Sequence, residues 1–169
     1  MEVWLEDART TGIVLPTDRK DLAVALASDL PIGVQDPRAW SGADAPAELV
    51  VRVPFEVLPD GSVRLSATIP DGSLVCVVRL TPEEMRRAAE EAARVAREAV
   101  GGESSGALLL GCAGRLAILG DGFADEVASI GQTLGAPVGG ACVSGEIARA
   151  RKDVAAFFNT TQVVVAFPK

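Results

Sequence analysis

The hydrophobic positions of this chain repeat every second residue in its first half and at helical spacing in much of its second half. Apolar side chains alternate with mostly polar neighbours over residues 49–57 and 63–69. Such alternation is typical of strands that bury one face. Pro-Asp-Gly turns occupy residues 59–61 and 70–72, and an apolar run at residues 74–80 follows the second turn. We therefore predict an N-terminal three-stranded antiparallel meander.

A long helix is predicted directly after these strands. Thr81 is a favourable N-cap residue, Pro82 suits the first helical position, and Glu84 would complete a capping box. The glycine pair at residues 101–102 would end the helix. The side chains predicted to face the core are Met85, Ala88, Ala92, Val95 and Ala99.

The rest of the chain predicts strands that alternate with helices. Residues 107–111 and 138–143 are short apolar runs typical of strands, and residues 159–167 form a near-continuous apolar run suited to a central strand. Between the first two runs, we expect Asp121 to cap a helix that ends at Gly135. The predicted fold class is α+β, a mixed and largely antiparallel sheet that includes the N-terminal meander, with helices packed on it.

The first part of the chain predicts less regular structure. Residues 18–29 predict a short helix, and residues 36–46 contain the Pro, Ser and Gly typical of an exposed connection. A length of 169 residues suits one ordinary domain. We therefore predict a single globular unit with an N-terminal segment, residues 1–35, and a main part, residues 36–169.

Charge and residue content exclude several classes of function. A net charge of −7 disfavours nucleic acids and anionic membrane surfaces as partners, because both need clustered Lys and Arg. With no His, and three Cys that lack CxxC spacing, neither a metal site nor a cofactor is predicted. The acidic start of the chain is unlike a secretory signal, and no apolar run approaches the ~20 residues that span a bilayer. We expect a cytoplasmic protein.

Two glycine-rich segments, residues 111–115 and 139–146, interrupt the apolar strands. Glycine clusters at strand ends suggest that the backbone closely approaches a ligand or another strand, although close packing alone also produces them. Arg115 could hold a carboxylate and Glu146 an ammonium group, which suits an amino acid or a related small carboxylate. Alternatively, these two residues pair with each other, or with Asp121 or Arg149, and only hold loops together.

The three cysteines are assigned as free thiols. Cys112 lies beside an arginine that would favour a thiolate, so a cysteine-dependent enzyme is an alternative function. No His is present to act as a base, and an inert thiol is therefore the preferred interpretation. Cys76 is in register with Leu74 and Val78 and is predicted to lie in the core. The chain is accordingly predicted not to be an enzyme.

A series of short motifs follows in order along the chain. The motifs are Leu30-Pro31-Ile32-Gly33, Val51-Arg52, Leu58-Pro59-Asp60-Gly61-Ser62, Ile69-Pro70-Asp71-Gly72, Cys112-Ala113-Gly114-Arg115, Gly145-Glu146 and Asn159-Thr160-Thr161. Pro-Asp-Gly alone is common, but the ordered set resembles the C-terminal domain of the FIST family. That domain is a sensory module of bacterial signal-transduction proteins and of some eukaryotic F-box proteins.

The resemblance implies a small-ligand sensor, and amino acids are the ligands proposed for the family. Some similar proteins bind haem, but the lack of His argues against haem in this chain. Family members usually carry a FIST N-type domain as well, so candidate partners are such a domain, a signalling output protein and a second copy of this chain. A further alternative is an interaction or assembly subunit. The predicted ligand-binding residues are Arg115, Glu146, Cys112, Gly114, Ser144, Gly145 and Asn159.

Overall fold

The computed structural model describes residues 1–35, 49–149 and 155–169, so the predicted connection at residues 36–46 lies outside the described residues. Antiparallel pairing dominates the sheets and helices pack on them, which confirms the predicted α+β class. The elements are α1 (Glu2–Thr11), α2 (Arg19–Ser28), β1 (Ile32–Gln35), β2 (Leu49–Arg52), β3 (Pro54–Val57), β4 (Val63–Leu65), β5 (Val75–Val77), α3 (Pro82–Ala99), β6 (Ser104–Cys112), α4 (Ala113–Leu119), α5 (Gly122–Leu134), β7 (Val138–Val143), β8 (Glu146–Arg149), β9 (Ala155–Phe158) and β10 (Gln162–Pro168).

The chain divides into two compact units. Unit 1 comprises Met1–Leu80 and Arg149–Asn159, and unit 2 comprises Thr81–Ala148 and Thr160–Lys169. Each unit has its own buried hydrophobic cluster. The predicted boundary between residues 35 and 36 lies at the edge of the described residues and stays a prediction.

The helices that the structure describes in unit 1 lie in its first thirty residues. Helix α2 confirms the predicted short helix, and Asp18 caps it by accepting hydrogen bonds from the backbone N–H groups of Lys20 at 2.8 Å and Asp21 at 3.2 Å. Helix α1 was not predicted, because its sequence carries few apolar residues. Its position is fixed by the buried Trp4, whose indole Nε1 donates to the Leu30 carbonyl at 2.7 Å.

Strand β1 lies at the centre of a three-stranded antiparallel sheet in unit 1, between β2 and β5. Gly33 fits this crowded position because it has no side chain. A Cβ atom there would lie 2.6 Å from Val78 Cγ2 and 2.9 Å from Leu49 Cδ1. A glycine and only four residues give no clear periodicity. Sequence patterns therefore did not reveal β1.

The predicted N-terminal meander is corrected by the strand pairing. Residues 49–57 form two strands, because Pro54 lacks the N–H needed to continue the ladder. Strand β2 pairs with β1, whereas β3 pairs with β4 as a hairpin. Strand β5 also pairs with β1 rather than with β4. Cys76 on β5, predicted to be core, is exposed.

Unit 2 contains a three-stranded sheet in which β6 is central. Strand β10 pairs with β6 antiparallel, and β7 pairs with β6 parallel. The predicted strands at residues 107–111 and 138–143 are confirmed, and so is the end of α5 at Gly135, which is left-handed at φ 65°. The apolar C-terminal run forms an edge strand here rather than the expected central one, because the nine-residue β6 has partners on both sides.

Helix α3 begins as predicted, since the backbone N–H of Glu84 donates to the Thr81 hydroxyl at 3.2 Å. Its buried face differs from the predicted stripe by one position, with Met85, Ala89 and Ala93 inside. Alanine occurs at many positions around this helix, so the apolar pattern alone did not define which face packs. Of the predicted stripe, Ala92 is half-buried, and Ala88, Val95 and Ala99 are exposed.

Candidate functional site

The strand directions in unit 2 bring the glycine-rich segments to one edge of the sheet. Because β6 and β7 are parallel and Cys112 is in register with Val143, both strands end side by side. Strand β10 starts at the same edge, where Gln162 is in register with Gly111. The carboxyl ends of adjacent parallel strands are a common location for ligand sites. This edge is therefore where chemistry is expected.

Helix α4 follows β6 without a break, so Arg115 lies on a helix. The guanidinium is buried, with 3% of the residue exposed. Nε and Nη2 both bind the Glu126 carboxylate, Nη1 donates to the Thr160 carbonyl at 3.1 Å, and Nη2 also donates to the Met85 carbonyl at 2.7 Å. All three guanidinium nitrogens thus have protein partners.

Glu126, the ion-pair partner of Arg115, was not identified by the sequence analysis. It lies on α5 with only 1% of its surface exposed, and it also accepts a hydrogen bond from Gln162 Nε2 at 2.5 Å. A signal was present, because Glu126 precedes the buried residues Ile130 and Leu134 at intervals of four. A charged residue within the buried stripe of a helix indicates a buried partner.

Two of the glycines are explained by close approaches between neighbouring strands. A Cβ atom on Gly111 would lie 2.6 Å from Oε1 of Gln162 on β10. A Cβ atom on Gly140 would overlap the carbonyl group of Leu109 on β6. At these two positions the glycines meet neighbouring strands, which was one of the alternatives for the glycine-rich segments.

Glu146 is the second buried carboxylate of unit 2, with 2% of the residue exposed. Its Oε2 accepts a hydrogen bond from the Thr161 hydroxyl at 2.7 Å, whereas its Oε1 has no hydrogen-bond partner among the residues that the structure describes. Burial raises the pKa of Glu146, and hydrogen bonds from Thr161 and Cys112 together with the charge of Arg115 offset part of this effect. The carboxylate is therefore incompletely compensated.

Residues 3–149 match the family model of the FIST C domain. The chain belongs to the FIST C family. FIST C domains are associated with sensory proteins of signal transduction. The match contains Cys112, Arg115 and Glu146, and it ends before Thr161. Neither a curated protein nor a solved structure matches this chain.

The remaining predicted residues of this FIST C domain differ in their surroundings. Cys112 is buried beside Glu146, Gly114 and Gly145 are half-buried, and Ser144 is exposed. Asn159 belongs to unit 1, where its side-chain oxygen accepts a hydrogen bond from the Ser66 hydroxyl at 2.5 Å. Cys112 and Glu146 therefore come together with Thr161, which the sequence analysis had not assigned to the site.

The described part of this FIST C domain contains no candidate membrane span and no candidate metal centre. Within residues 1–35, 49–149 and 155–169, no helix combines the length and apolarity that a membrane span requires. The same residues contain no group of three or more His, Cys, Asp or Glu side chains placed to hold a metal ion.

Proposed function

We propose that this FIST C domain binds a small polar ligand that carries an amino group, such as an amino acid or a related aminocarboxylate, and thereby serves as a sensory module. The observation that carries the proposal is the unpartnered Oε1 of the buried Glu146. A buried carboxylate oxygen without a donor is costly, and a bound ligand would supply the donor that the chain does not.

The surroundings of Glu146 favour a cationic donor. The Thr161 hydroxyl and the Cys112 thiol are neutral groups, and neither supplies a compensating charge. Arg115 carries a positive charge, but all its nitrogens donate to other protein groups. A ligand ammonium group would supply both the missing hydrogen bond and the missing charge, and charge-assisted hydrogen bonds are the stronger kind.

The other predicted residues would contribute in two ways. Arg115 would act indirectly, because its bond to the Thr160 carbonyl holds the chain next to Thr161. Gly114, Ser144 and Gly145 surround the strand ends and would offer backbone N–H and hydroxyl donors to a ligand carboxylate. Backbone N–H and hydroxyl donors next to a carboxylate would suit a small zwitterion.

Family membership supports the wider context of this proposal. A sensory domain transmits ligand binding to an output protein, so we propose a signalling partner, with a FIST N-type domain or a second copy of the chain as candidates. We also propose that the domain acts in the cytoplasm on a diffusible metabolite.

The test is a thermal-shift screen against amino acids and the corresponding carboxylic acids that lack the amino group. A ligand that binds only the folded state raises the melting temperature by mass action. We expect at least one amino acid to stabilise the parent chain, its deaminated counterpart to have no effect, and Glu146→Gln to abolish the shift. Glu103→Gln, the same change at an exposed carboxylate, should retain it. A shift that survives Glu146→Gln would contradict the proposal.

A further inference from the structure

A surface groove lies in unit 1 between α2 and β3, and its volume is about 600 Å³. Ala23, Val24 and Ala27 line it on the side of α2, and Phe55 and Pro59 line it on the side of β3. The two largest of these apolar side chains are open to solvent, with 68% of Val24 and 62% of Phe55 exposed. The groove therefore presents apolar surface from both of its sides.

Helix α2 is apolar on two opposite sides. One side contains Leu26, which is fully buried in the hydrophobic cluster of unit 1. Val24 precedes Leu26 by two residues and therefore lies roughly 200° away around the helix, where it lines the groove. A surface helix normally has polar residues opposite its buried side, whereas a helix with apolar residues all round is normally covered. We therefore expect a partner surface on the groove.

The charges around the groove cancel each other. The residues that line it include two acids and two bases, which are Asp18, Arg19, Lys20 and Glu56, whereas the whole chain carries a net charge of −7. Neither base has an ion-pair partner among the residues that the structure describes, and Glu56 pairs with Arg64 only at the exposed surface. Two acidic chains repel each other, so they meet most easily where the local charge is zero.

A second copy of this chain would complement the groove. The same surface carries a large exposed side chain, Phe55, and an apolar space beside it. An interface with two-fold symmetry requires both features in one patch, because the patch must complement itself. The charges meet the same requirement, since Glu56 of one copy would supply the acid that Lys20 of the other copy does not find in its own chain.

We propose that two copies of this chain associate about a two-fold axis through the groove between α2 and β3. Phe55 of each copy would contact Val24 in the groove of the other, and Lys20 would pair with Glu56 across the interface. Burial of the apolar side chains would supply the affinity, and the charges would fix the orientation. The groove belongs to unit 1 and Glu146 to unit 2, so the inference does not rest on the proposed ligand.

Sedimentation velocity from low micromolar to near-millimolar concentration tests for association. We expect the parent chain to convert from monomer to dimer within this range. Val24→Glu places a charge in the groove and should weaken association about tenfold or more, as the loss of a central contact does. Val14→Glu is the matched control, because Val14 is also exposed in unit 1 and does not line the groove. It should associate as the parent does, and circular dichroism should show both variants folded.

An exchange of charges tests the proposed orientation. Lys20→Glu and Glu56→Lys should each weaken association severalfold, and the double variant should recover most of the loss, because it restores the pair with its signs exchanged. Lys20 and Glu56 form no ion pair with each other in the structure, so recovery reports contact between copies.

Three results would overturn the inference. They are association that Val24→Glu leaves unchanged, a double charge variant no stronger than the single ones, and a parent chain that stays monomeric throughout. The last result would assign the groove to a partner other than a second copy. Glu146→Gln should associate as the parent does, so the dimer and the ligand site fail or succeed independently.

Discussion

Unit 2 buries two carboxylates, and their surroundings differ sharply. Glu126 accepts hydrogen bonds from Arg115 and Gln162 at both of its oxygens. Glu146 is buried to the same degree. Among the described residues only its Oε2 accepts a hydrogen bond, from the Thr161 hydroxyl, and its Oε1 has no partner. Burial therefore raises the pKa of Glu146. The two carboxylates are thus equally buried, but their charges are not equally compensated by neighbouring groups.

The difference distinguishes a structural role from a binding role. A fully paired buried ion contributes by connecting elements, in this case α3, α4 and α5 with the segment at Thr160. An incompletely paired carboxylate costs stability, and proteins accept such costs mainly at functional sites. We therefore propose that Glu126 holds this end of the sheet together and that Glu146 recognises a ligand.

The largest effect should follow from breaking the complete network. Arg115→Met leaves Glu126 as an uncompensated buried charge, and we expect a loss of about 3–5 kcal/mol in the free energy of unfolding. Arg94→Met is the matched control, because Arg94 pairs with Glu91 and Glu98 on the surface of α3, where solvent screens the charges, and we expect it to cost far less than Arg115→Met. Urea denaturation followed by circular dichroism measures both.

Equal losses for these two arginines would mean that the buried network is no more important than a surface ion pair. Replacing both Arg115 and Glu126 with Met sharpens the test further. The double variant should recover part of the loss, because no charge then remains buried alone.

A smaller effect is expected when Glu146 loses its remaining hydroxyl donor. Thr161→Val keeps the shape of the side chain and removes the hydrogen bond to Oε2. We expect a loss of about 1–2 kcal/mol in the free energy of unfolding at a pH at which the carboxylate is ionised, as for other unsatisfied buried groups. The loss should shrink in acid, because a protonated carboxyl group needs fewer donors. A loss that does not change with pH would contradict the interaction with Glu146.

The smallest predicted effect is a gain in stability rather than a loss. Because burial raises the pKa of Glu146 above its value in the unfolded chain, the native state binds this proton more tightly. The associated stability is present below the ordinary carboxyl pKa and is lost as the pH rises through the raised pKa. Glu146→Gln removes this loss, so we expect it to be slightly more stable than the parent near pH 7. The advantage should vanish in acid.

Glu126→Gln provides the counterpart in the same unfolding experiments. It should destabilise the chain, because it removes the charge that compensates Arg115. Two Glu→Gln changes at equal burial would then have opposite signs. If both variants lost stability to the same extent near neutral pH, the distinction between the two carboxylates would be wrong.

Local signals in the sequence predicted several elements correctly. The Thr81 cap, the left-handed Gly135 and the apolar run of β7 depend on neighbouring residues only, and all three agree with the structure. Strand pairing depends on distant segments instead. The turn at residues 70–72 predicted that β5 returns along β4, whereas β5 pairs with β1 some forty residues earlier in the chain.

The candidate site was predictable to a similar extent. Glycines at the ends of β6 and β7 directed attention to Cys112, Arg115 and Glu146, and parallel pairing does bring those strand ends together. The partner of Arg115 lies on α5 eleven residues away, and composition alone did not identify it, although its helical spacing with buried residues was a signal. Thr161 was also missed, because its role depends on the antiparallel register of β10.

The most direct test of the central claim is a pH titration of the glutamate side-chain carboxyl carbons by NMR, in the parent and in Glu146→Gln. We predict one carboxyl resonance in the parent that titrates above the ordinary glutamate range and is absent in the variant. Addition of an amino acid that binds should shift this titration to lower pH, because an ammonium group favours the ionised carboxylate. An ordinary pKa for Glu146, or one that bound ligand leaves unchanged, would contradict the account.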